Sequence, residues 1–159
     1  MIPPRDDIDR LMAVMAVAFD PAYGEAWTRR QVEDALLIGN CHYWLVGGSI
    51  PGTAAESAQD LPAAGFALSR AGVDEEELLL LAVVPEARRQ GIGAHLLRQF
   101  ELDARGRGAT RLLLEMRRGN PAESLYRRFG FSPIGTRPSY YRLPGGQTLD
   151  AITFAHDLR

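Results

Sequence analysis

The segment that most restricts the fold is a nearly continuous apolar strand over residues 76–84, Glu-Glu-Leu-Leu-Leu-Leu-Ala-Val-Val. A strand with one solvated face alternates apolar and polar residues, so this pattern is typical of a strand covered on both faces. The apolar run that ends at Pro85 is far shorter than the ~20 residues that cross a bilayer. We therefore expect protein layers on both sides of this strand.

The rest of the chain reads as alternating helices and strands. Thr28 precedes Gln31 by three residues, which forms a capping box and predicts a helix over residues 29–38. Hydrophobic periodicity and turn residues predict further helices over residues 7–19, 91–105 and 121–129, and strands over residues 41–46, 63–69, 111–117, 131–136 and 149–156. This order predicts an α/β fold with a mixed sheet.

The number of domains follows from length and from the absence of breaks in composition. A chain of 159 residues suits one domain. Residues 47–62 are rich in Gly, Ser, Ala and Pro, and we interpret them as a long hairpin connection rather than a linker. The sequence shows no internal repeat, so we expect a single domain over residues 1–159.

The charged residues exclude several kinds of chemistry. All 18 basic residues are arginines, and with 20 acidic residues the formal charge at pH 7 is -2. Without lysine there is no Schiff-base lysine and no phosphate-loop lysine. A dedicated nucleic-acid binder is normally basic, because phosphate contacts supply most of its affinity. We therefore expect no direct nucleic-acid binding.

The cysteine, the histidines and the N-terminus also set limits. A single cysteine, Cys41, excludes an internal disulfide framework. His42, His95 and His156 lack metal-ligand spacing, so we expect no metal site. The charged N-terminus lacks the apolar region of a signal peptide. We expect a cytoplasmic protein without a membrane anchor.

The strongest chemical signal is the turn that links the apolar strand to the next helix, over residues 81–94. Gly91 and Gly93 have no Cβ, so a ligand can approach their backbone closely. The free N–H groups and the positive dipole end at a helix start suit a phosphate or pyrophosphate, and Arg88 and Arg89 add positive charge. The alternative is a simple tight turn into a helix.

Two nucleotide-binding motifs fit this turn poorly. A dinucleotide fingerprint needs a third glycine or alanine where Leu96 stands. A phosphate loop needs a lysine, which the chain lacks. The segment instead resembles the acetyl-CoA motif of the GNAT superfamily of N-acetyltransferases, Gln/Arg-x-x-Gly-x-Gly/Ala, through Arg88, Gly91 and Gly93.

The resemblance implies a fold and a co-substrate. The implied GNAT acyl-CoA N-acyltransferase fold has a central mixed, mostly antiparallel sheet flanked by about four helices, with a first strand ahead of the two N-terminal helices. The implied co-substrate is acetyl-CoA. The implied acetyl-CoA-binding residues are Leu81, Ala82, Val83, Arg88, Arg89, Gln90, Gly91, Ile92, Gly93, Ala94, Asn120 and Tyr126.

Within the superfamily the chain is most similar to the ribosomal-protein-alanine N-acetyltransferases, from about Phe19 to the C-terminus. The similarity is carried by residues 77–83, 88–93, 114–117, 125–126, 129–131 and 137–141, together with Asn120 and Gly135. The chain departs from that family in the Asn120-to-Tyr126 spacing, which is one residue shorter, in the long connection over residues 47–62, and in Ala94.

The resemblance also implies catalytic roles. An amine must be neutral to attack, and Glu115 is implied as the general base that takes its proton. The alternatives are that Glu115 is a solvated charge or a partner of Arg117. Three other residues are rival bases, although they are interpreted more simply as charges at a strand edge: Glu75, Glu76 and Glu77. Tyr126 is implied as the proton donor to the CoA thiolate, with a core aromatic as the alternative. Backbone N–H groups of residues 81–83 would polarise the acetyl carbonyl, and Asn120 would orient the cofactor or cap a helix.

The acceptor implied by the resemblance is a peptide or protein N-terminus, in particular the N-terminal alanine of a small-subunit ribosomal protein. Aromatic residues would hold it: Phe19, Tyr23 and Trp27 in a loop, and Tyr140 and Tyr141 in a turn. The alternative is that these aromatic residues only cap the core. A small-molecule amine acceptor and a non-catalytic acyl-CoA sensor stay open, because a fold does not fix its substrate.

Overall fold

A computed structural model of the chain describes residues 5–47 and 62–158. In these residues six strands form one sheet in the order β1-β2-β3-β4-β6-β5. The elements are α1 (Arg5–Ala18), α2 (Arg29–Ile38), β1 (Cys41–Gly47), β2 (Ala63–Ala71), β3 (Glu75–Val83), α3 (Ile92–Gly106), β4 (Arg111–Arg117), α4 (Glu123–Arg128), β5 (Ser132–Arg142) and β6 (Thr148–Asp157). Short 3-10 turns lie at Pro21–Tyr23 and Pro85–Ala87.

The sheet is mixed and mostly antiparallel, because only β3 and β4 run parallel. Together with the four α-helices, this confirms the predicted fold class. In the described part of the chain, no helix is long and apolar enough to span a bilayer. The strand expected ahead of the N-terminal helices would precede α1 and lies outside the described residues. Most of the connection predicted over residues 47–62 also lies outside them.

Local sequence signals set several element ends correctly. The side chain of Thr28 accepts the Gln31 N–H at 3.2 Å, and the Gln31 side chain accepts the Thr28 N–H at 2.7 Å. This reciprocal pair satisfies two N–H groups that the helix itself cannot bond. Gly39, with φ of 94°, ends the helix in the left-handed conformation. The predicted bounds of α2 are therefore confirmed.

The last hairpin differs from the prediction. We expected a strand over residues 131–136 and a turn at Tyr140 and Tyr141, whereas β5 continues to Arg142 and contains both tyrosines. Its register on β6 shifts between Arg137 and Tyr141, where Ser139 has a φ of 53°. The irregularity accommodates a proline and a left-handed residue without ending the ladder, which sequence patterns do not reveal.

Helices cover the sheet on both faces, as the apolar strand predicted. One core cluster joins residues of α1 and α2 to Phe66 and Leu68 of β2. The other joins residues of α3 and α4 to Ala67, which lies between those two residues in β2. Because successive side chains of a strand point to opposite faces, the two clusters lie on opposite sides of the sheet.

Strand β3 contains an extra residue at its middle. Leu80 pairs with Leu68 on β2, and Leu78 pairs with the next residue, Ser69. Leu79 therefore has no register partner and forms a β-bulge. A bulge bends its strand and increases the local twist.

The bulge exchanges the two faces of β3. Leu78 packs in the cluster with α3 and α4, whereas Leu80 and Ala82 pack in the cluster with α1 and α2. Leu81 and Val83 pack on the α3 side. A regular strand would keep Leu78, Leu80 and Ala82 on one face, so the single inserted residue accounts for the change.

Beyond the bulge, β3 and β4 separate. Their parallel pairing ends at Leu78 and Leu114, although β3 continues to Val83 and β4 to Arg117. The outer parts of the two strands remain paired with β2 and β6, respectively. A gap therefore opens between two neighbouring strands within the sheet.

At its other end β3 carries a buried ion pair. Glu76 is 1% exposed, and Arg107 donates to its two oxygens at 2.9 and 2.6 Å. The Ser69 hydroxyl donates to the same carboxylate at 2.6 Å. The interpretation of Glu76 as a strand-edge charge is therefore wrong: this carboxylate holds the end of α3 to the sheet.

We predict that Arg107→Met lowers the free energy of unfolding by about 3–5 kcal/mol, because it leaves the Glu76 carboxylate buried without its counter-charge. Urea unfolding followed by circular dichroism measures this change. The control is Arg30→Met, which removes a pair whose side chains are 90% and 65% exposed and is expected to change stability by at most ~1 kcal/mol. Equal effects of the two substitutions would contradict a structural role for the buried pair.

Candidate active site

A cavity of about 410 Å³ lies at the gap between β3 and β4. The gap opens both faces of the sheet to one space, so side chains that start on opposite faces meet there. Leu114 and Met116 of β4 pack on the α3 side, so Glu115 between them projects from the opposite face, whereas Tyr126 of α4 lies on the α3 side. The other lining residues are Phe19, Gly24, Glu25, Ala26, Trp27, Gln31, Glu77, Leu78, Leu79, Leu80, Leu81, Met116, Asn120, Tyr140 and Tyr141.

The cavity brings together most of the residues that the sequence singled out for catalysis and acceptor binding. These are Glu115, Tyr126, Phe19, Trp27, Tyr140 and Tyr141, and they are joined by Leu81 and Asn120 from the predicted acetyl-CoA set. Tyr23 instead lies against the guanidinium of Arg117, with 3.6 Å between the Cζ atom and the ring centroid. The roles of these residues stay predictions.

Glu115 is held by side chains from β6 and β5, the next two strands along the sheet. Thr153 lies opposite it on β6, and its hydroxyl donates to Oε2 at 3.2 Å. The Nε atom of Arg137 on β5 lies 3.2 Å from the same oxygen. The expected alternative of a pair with Arg117 is wrong, because Arg117 pairs with Glu25. Glu115 is thus an oriented carboxylate at the cavity wall.

Tyr126 is a buried tyrosine whose hydroxyl keeps its proton at neutral pH. It is 7% exposed, and its ring meets Phe131 edge to face at 6.1 Å between centroids. Burial raises the pKa of Tyr126 well above its usual range, and the charge of Glu25 raises it further. The residue is therefore a core aromatic that also lines the cavity, so the two interpretations are compatible.

Tyr140 and Tyr141 form an aromatic part of the cavity wall. Their rings meet edge to face at 5.2 Å between centroids. Tyr140 is 52% exposed, whereas burial, followed by the charge of Glu115, raises the pKa of Tyr141 to about 12. This wall offers aromatic surface together with the protonated hydroxyl of Tyr141.

Asn120 fixes the turn that leads into α4. Its Oδ1 accepts the Ala122 N–H at 2.9 Å, and its carbonyl accepts the Glu123 N–H at 3.1 Å. The alternative that Asn120 is the N-cap of this helix is wrong, because the N-cap position is Ala122 and Asn120 bonds within the turn before it. Since Asn120 also lines the cavity, it holds the start of the Tyr126 helix at the site.

The glycine-containing turn lies where β3 ends and α3 begins. Gly91 has a φ of 81°, a left-handed conformation that favours glycine, and a Cβ built there would meet nothing within 4 Å. The first intrahelical bond is donated by His95 to the Gly91 carbonyl at 2.9 Å. The N–H groups of Ile92, Gly93 and Ala94 precede it and have no partner within the helix. This geometry suits an anion.

Two contacts connect this turn to its neighbours. A Cβ on Gly93 would lie 3.2 Å from Leu125, so the missing side chain lets α3 approach the Tyr126 helix closely. The Arg88 guanidinium donates to the carbonyls of Val83 at 3.2 Å and Ala18 at 2.8 Å. Arg88 therefore ties the turn to the end of α1, while Arg89 and Gln90 are exposed.

The cavity wall is acidic. Glu25, Glu77 and Glu115 line it, and the set of lining residues contains no arginine or histidine. Sequence reasoning missed Glu25 and treated Glu77 only as a rival base. For Glu25 the available signal was its position between Tyr23 and Trp27, in a loop already assigned to the acceptor. Among residues 5–47 and 62–158, no three His, Cys, Asp or Glu residues are arranged to hold a metal ion.

Comparison with known proteins identifies a family of acetyltransferases. Residues 39–133 match the family "Acetyltransferase (GNAT) domain". The [ribosomal protein bS18]-alanine N-acetyltransferase of Haemophilus influenzae is 33% identical over 91 residues, which cover 57% of this chain and 62% of that protein, less than two thirds of its length. The putative enzyme of the same name from Bacillus subtilis is 30% identical over 145 residues, which cover 91% of this chain and 87% of that protein.

Solved structures agree on the fold. The ribosomal-protein-S18-alanine N-acetyltransferase from Escherichia coli superposes with a TM-score of 0.78 at 24% identity, covering 99% of this chain and 92% of that one. The PaiA N-acetyltransferase from Thermoplasma acidophilum, solved in complex with coenzyme A, gives 0.71 at 16% identity, with coverage of 99% and 96%. At these identities the likeness concerns the fold alone.

The described residues thus form a split sheet with a glycine turn and an acidic cavity beside the split. With a family match that covers more than half of its residues, this chain belongs to the GNAT acetyltransferase family. The resemblance predicted from the sequence is confirmed at the level of the family.

Proposed function

We propose that this protein transfers the acetyl group of acetyl-CoA to the N-terminal α-amine of a protein, and that its acceptor is the N-terminal alanine of a ribosomal protein. The observation that carries the proposal is the cavity in the split sheet, where Glu115 and Tyr126 share one space with an acidic wall. An acidic wall favours a cationic acceptor, and an amine is cationic before it reacts. The names of the bS18-alanine relatives support the choice of alanine.

Acetyl-CoA is assigned to the turn and the gap. The free N–H groups of Ile92, Gly93 and Ala94 would bind its pyrophosphate, with positive charge from the exposed Arg89. The acetyl group would then lie in the gap beside Leu81, where backbone N–H groups of residues 81–83 polarise its carbonyl. Arg88 contributes by holding the turn rather than by free charge.

The proposed reaction is a direct transfer. Glu115 takes a proton from the acceptor ammonium, directly or through a water, and the neutral nitrogen attacks the acetyl carbonyl carbon. The bond between that carbon and sulfur breaks, and the Tyr126 hydroxyl gives its proton to the departing thiolate. The nitrogen then loses its second proton, which returns to the Tyr126 oxygen directly or through a water, and Glu115 releases the first proton to solvent. The products are the N-acetylated acceptor and free CoA. Because the pKa of Tyr126 is raised, the hydroxyl remains protonated before each turnover.

The acceptor would enter between two aromatic groups. Phe19 and Trp27 lie on the loop between α1 and α2, and Tyr140 and Tyr141 lie on β5. Rings of this kind hold an extended peptide while their polar tips bond to its backbone. Tyr23 supports the loop from behind, against Arg117. A ribosomal acceptor also implies that the enzyme works in the cytoplasm.

A small-molecule amine is the second candidate acceptor, because the same acidic wall would attract a polyamine or an aminoglycoside. A non-catalytic acyl-CoA sensor is the third. Release of free CoA in the presence of an amine separates either enzyme from a sensor.

The first functional prediction concerns the turn. Gly91→Val is expected to weaken acetyl-CoA binding at least ~10-fold, because a side chain there occupies the open side of the turn and strains the loop. Calorimetry measures the affinity. Gly108→Val is the matched control, since Gly108 has a φ of 93° and equally open surroundings but follows α3. Absence of acetyl-CoA binding to the unmodified protein would contradict the whole assignment.

The second prediction concerns the two proposed catalytic residues. Glu115→Gln is expected to lower kcat by ~10²-fold or more while leaving the affinity for acetyl-CoA unchanged. Tyr126→Phe is expected to lower kcat by roughly 10–100-fold, as for the loss of one hydrogen bond to a charged group. Release of free CoA measures both. Glu123→Gln and Tyr43→Phe, outside the cavity, are the controls; full activity in both site variants would redirect attention to Glu77.

The third prediction concerns the acceptor. In competition, peptides that begin with alanine are expected to be acetylated in preference to polyamines, aminoglycosides and free amino acids, because only a peptide fills the aromatic entrance. Mass spectrometry of the mixed products measures the preference. Turnover of a small amine with none of any N-terminal peptide would replace this acceptor and leave the acetyl-CoA chemistry intact.

A further inference from the structure

The loop between α1 and α2 carries a carboxylate to which the proposed reaction gives no role. Glu25 lines the cavity together with Tyr126 and Glu115. Its side chain is only 18% exposed. A nearly buried carboxylate at a ligand cavity costs desolvation energy, so its partners and its purpose require an explanation.

Glu25 is held by an arginine that is itself clamped. The Nε atom of Arg117 lies 3.3 Å from Glu25 Oε1, and the guanidinium stacks on the Tyr23 ring at 3.6 Å. The Arg117 side chain is 11% exposed. Only a planar guanidinium can stack on a ring and donate in its own plane at once, so a lysine would not reproduce this arrangement.

The loop is shaped so that Tyr23 and Glu25 both reach Arg117. Asp20 Oδ1 accepts the Ala22 N–H at 2.9 Å and caps the short turn that contains Tyr23. Gly24 then adopts a φ of 61°, which reverses the backbone between Tyr23 and Glu25. Arg117 lies two residues after Glu115 on β4, so both project from the same face of the sheet.

The other two cavity carboxylates are also contacted on one oxygen each. Glu115 receives Thr153 and Arg137 on Oε2, which orients the carboxylate. Glu77 pairs with Arg70 at 2.9 Å. Arg117 contacts Oε1 of Glu25, which leaves Oε2 able to accept from a ligand. Glu25 is also more buried than Glu77, with side-chain exposures of 18% and 34%. The charge of Glu25 also raises the pKa of Tyr126, which is consistent with a position close to that hydroxyl.

We propose that Glu25 binds the α-ammonium group of the acceptor before transfer, and that Arg117 and Tyr23 are positioning residues that hold its carboxylate. The inference rests on the proposed function and assigns different roles to the carboxylates of Glu25 and Glu115. Glu25 binds the charged amine through a charge-assisted hydrogen bond, and Glu115 removes its proton.

The test is a cycle of binding measurements that changes one amine and one carboxylate. The probes are a peptide that begins with alanine and the same peptide with that alanine replaced by a propionyl group, which lacks only the amine. Calorimetry measures the affinity of each for the enzyme saturated with CoA, which cannot react. The unmodified enzyme is expected to bind the amine-bearing peptide about 10–100-fold more tightly, the range for one hydrogen bond to a charged group.

Glu25→Gln is expected to remove most of this preference, since glutamine keeps the shape and loses the charge. Glu33→Gln is the matched control, because Glu33 pairs with Arg29 on α2, away from the cavity lining, and it is expected to retain the full preference. Glu115→Gln is expected to retain the preference while losing turnover. A preference that survives Glu25→Gln, or that disappears in Glu115→Gln alone, would overturn the inference and leave the proposed function standing.

The clamp is tested through Arg117. Arg117→Met and Arg117→Lys are both expected to raise the KM for the peptide at least ~10-fold and to leave the KM for acetyl-CoA within about twofold, with the lysine variant recovering part of the amine preference through its charge. Equal increases in both KM values would indicate general damage and contradict a positioning role. If the unmodified enzyme binds and acetylates no N-terminal peptide, the inference and the proposed acceptor fall together.

Discussion

The structure depends on one inserted residue in the middle of its central strand. Leu79 has no partner on β2, and at the same point β3 stops pairing with β4. Without this irregularity the parallel pair of β3 and β4 would continue its hydrogen-bond ladder to the ends of both strands and leave no space between them. The bulge instead turns the outer half of β3 away and exchanges its two faces. The cavity exists because an otherwise regular sheet is interrupted at this residue.

The functional elements are attached to the two diverging strands. The end of β3 leads into the glycine turn and α3, and Arg88 bonds that turn to the end of α1, beside the loop between α1 and α2. The end of β4 carries Glu115 and Arg117 and leads through Asn120 into the Tyr126 helix. Close packing of Gly93 on Leu125 brings α3 and α4, which follow the two strands, back into contact. These contacts connect the elements on the two sides of the gap.

The sequence predicted what depends on short-range signals and missed what depends on register. The capping box of α2, the glycine turn and the apolar strands were evident, because periodicity and turn chemistry are local. The bulge was not, since four successive leucines at residues 78–81 give no sign of which one lacks a partner. The extension of β5 through Tyr140 and Tyr141 was missed for the same reason. The pairing of Arg117 with Glu25 joins residues 92 positions apart, which no local pattern encodes.

The electrostatics of the cavity follow from where the arginines lie. Three carboxylates face one space of about 410 Å³, and their mutual repulsion would be costly without counter-charges. Each has its own arginine: Glu25 has Arg117, Glu77 has Arg70 and Glu115 has Arg137. None of these arginines belongs to the cavity lining, so each offsets the charge of its partner from behind. The ion pairs therefore offset the repulsion among the three carboxylates, which allows them to line one cavity.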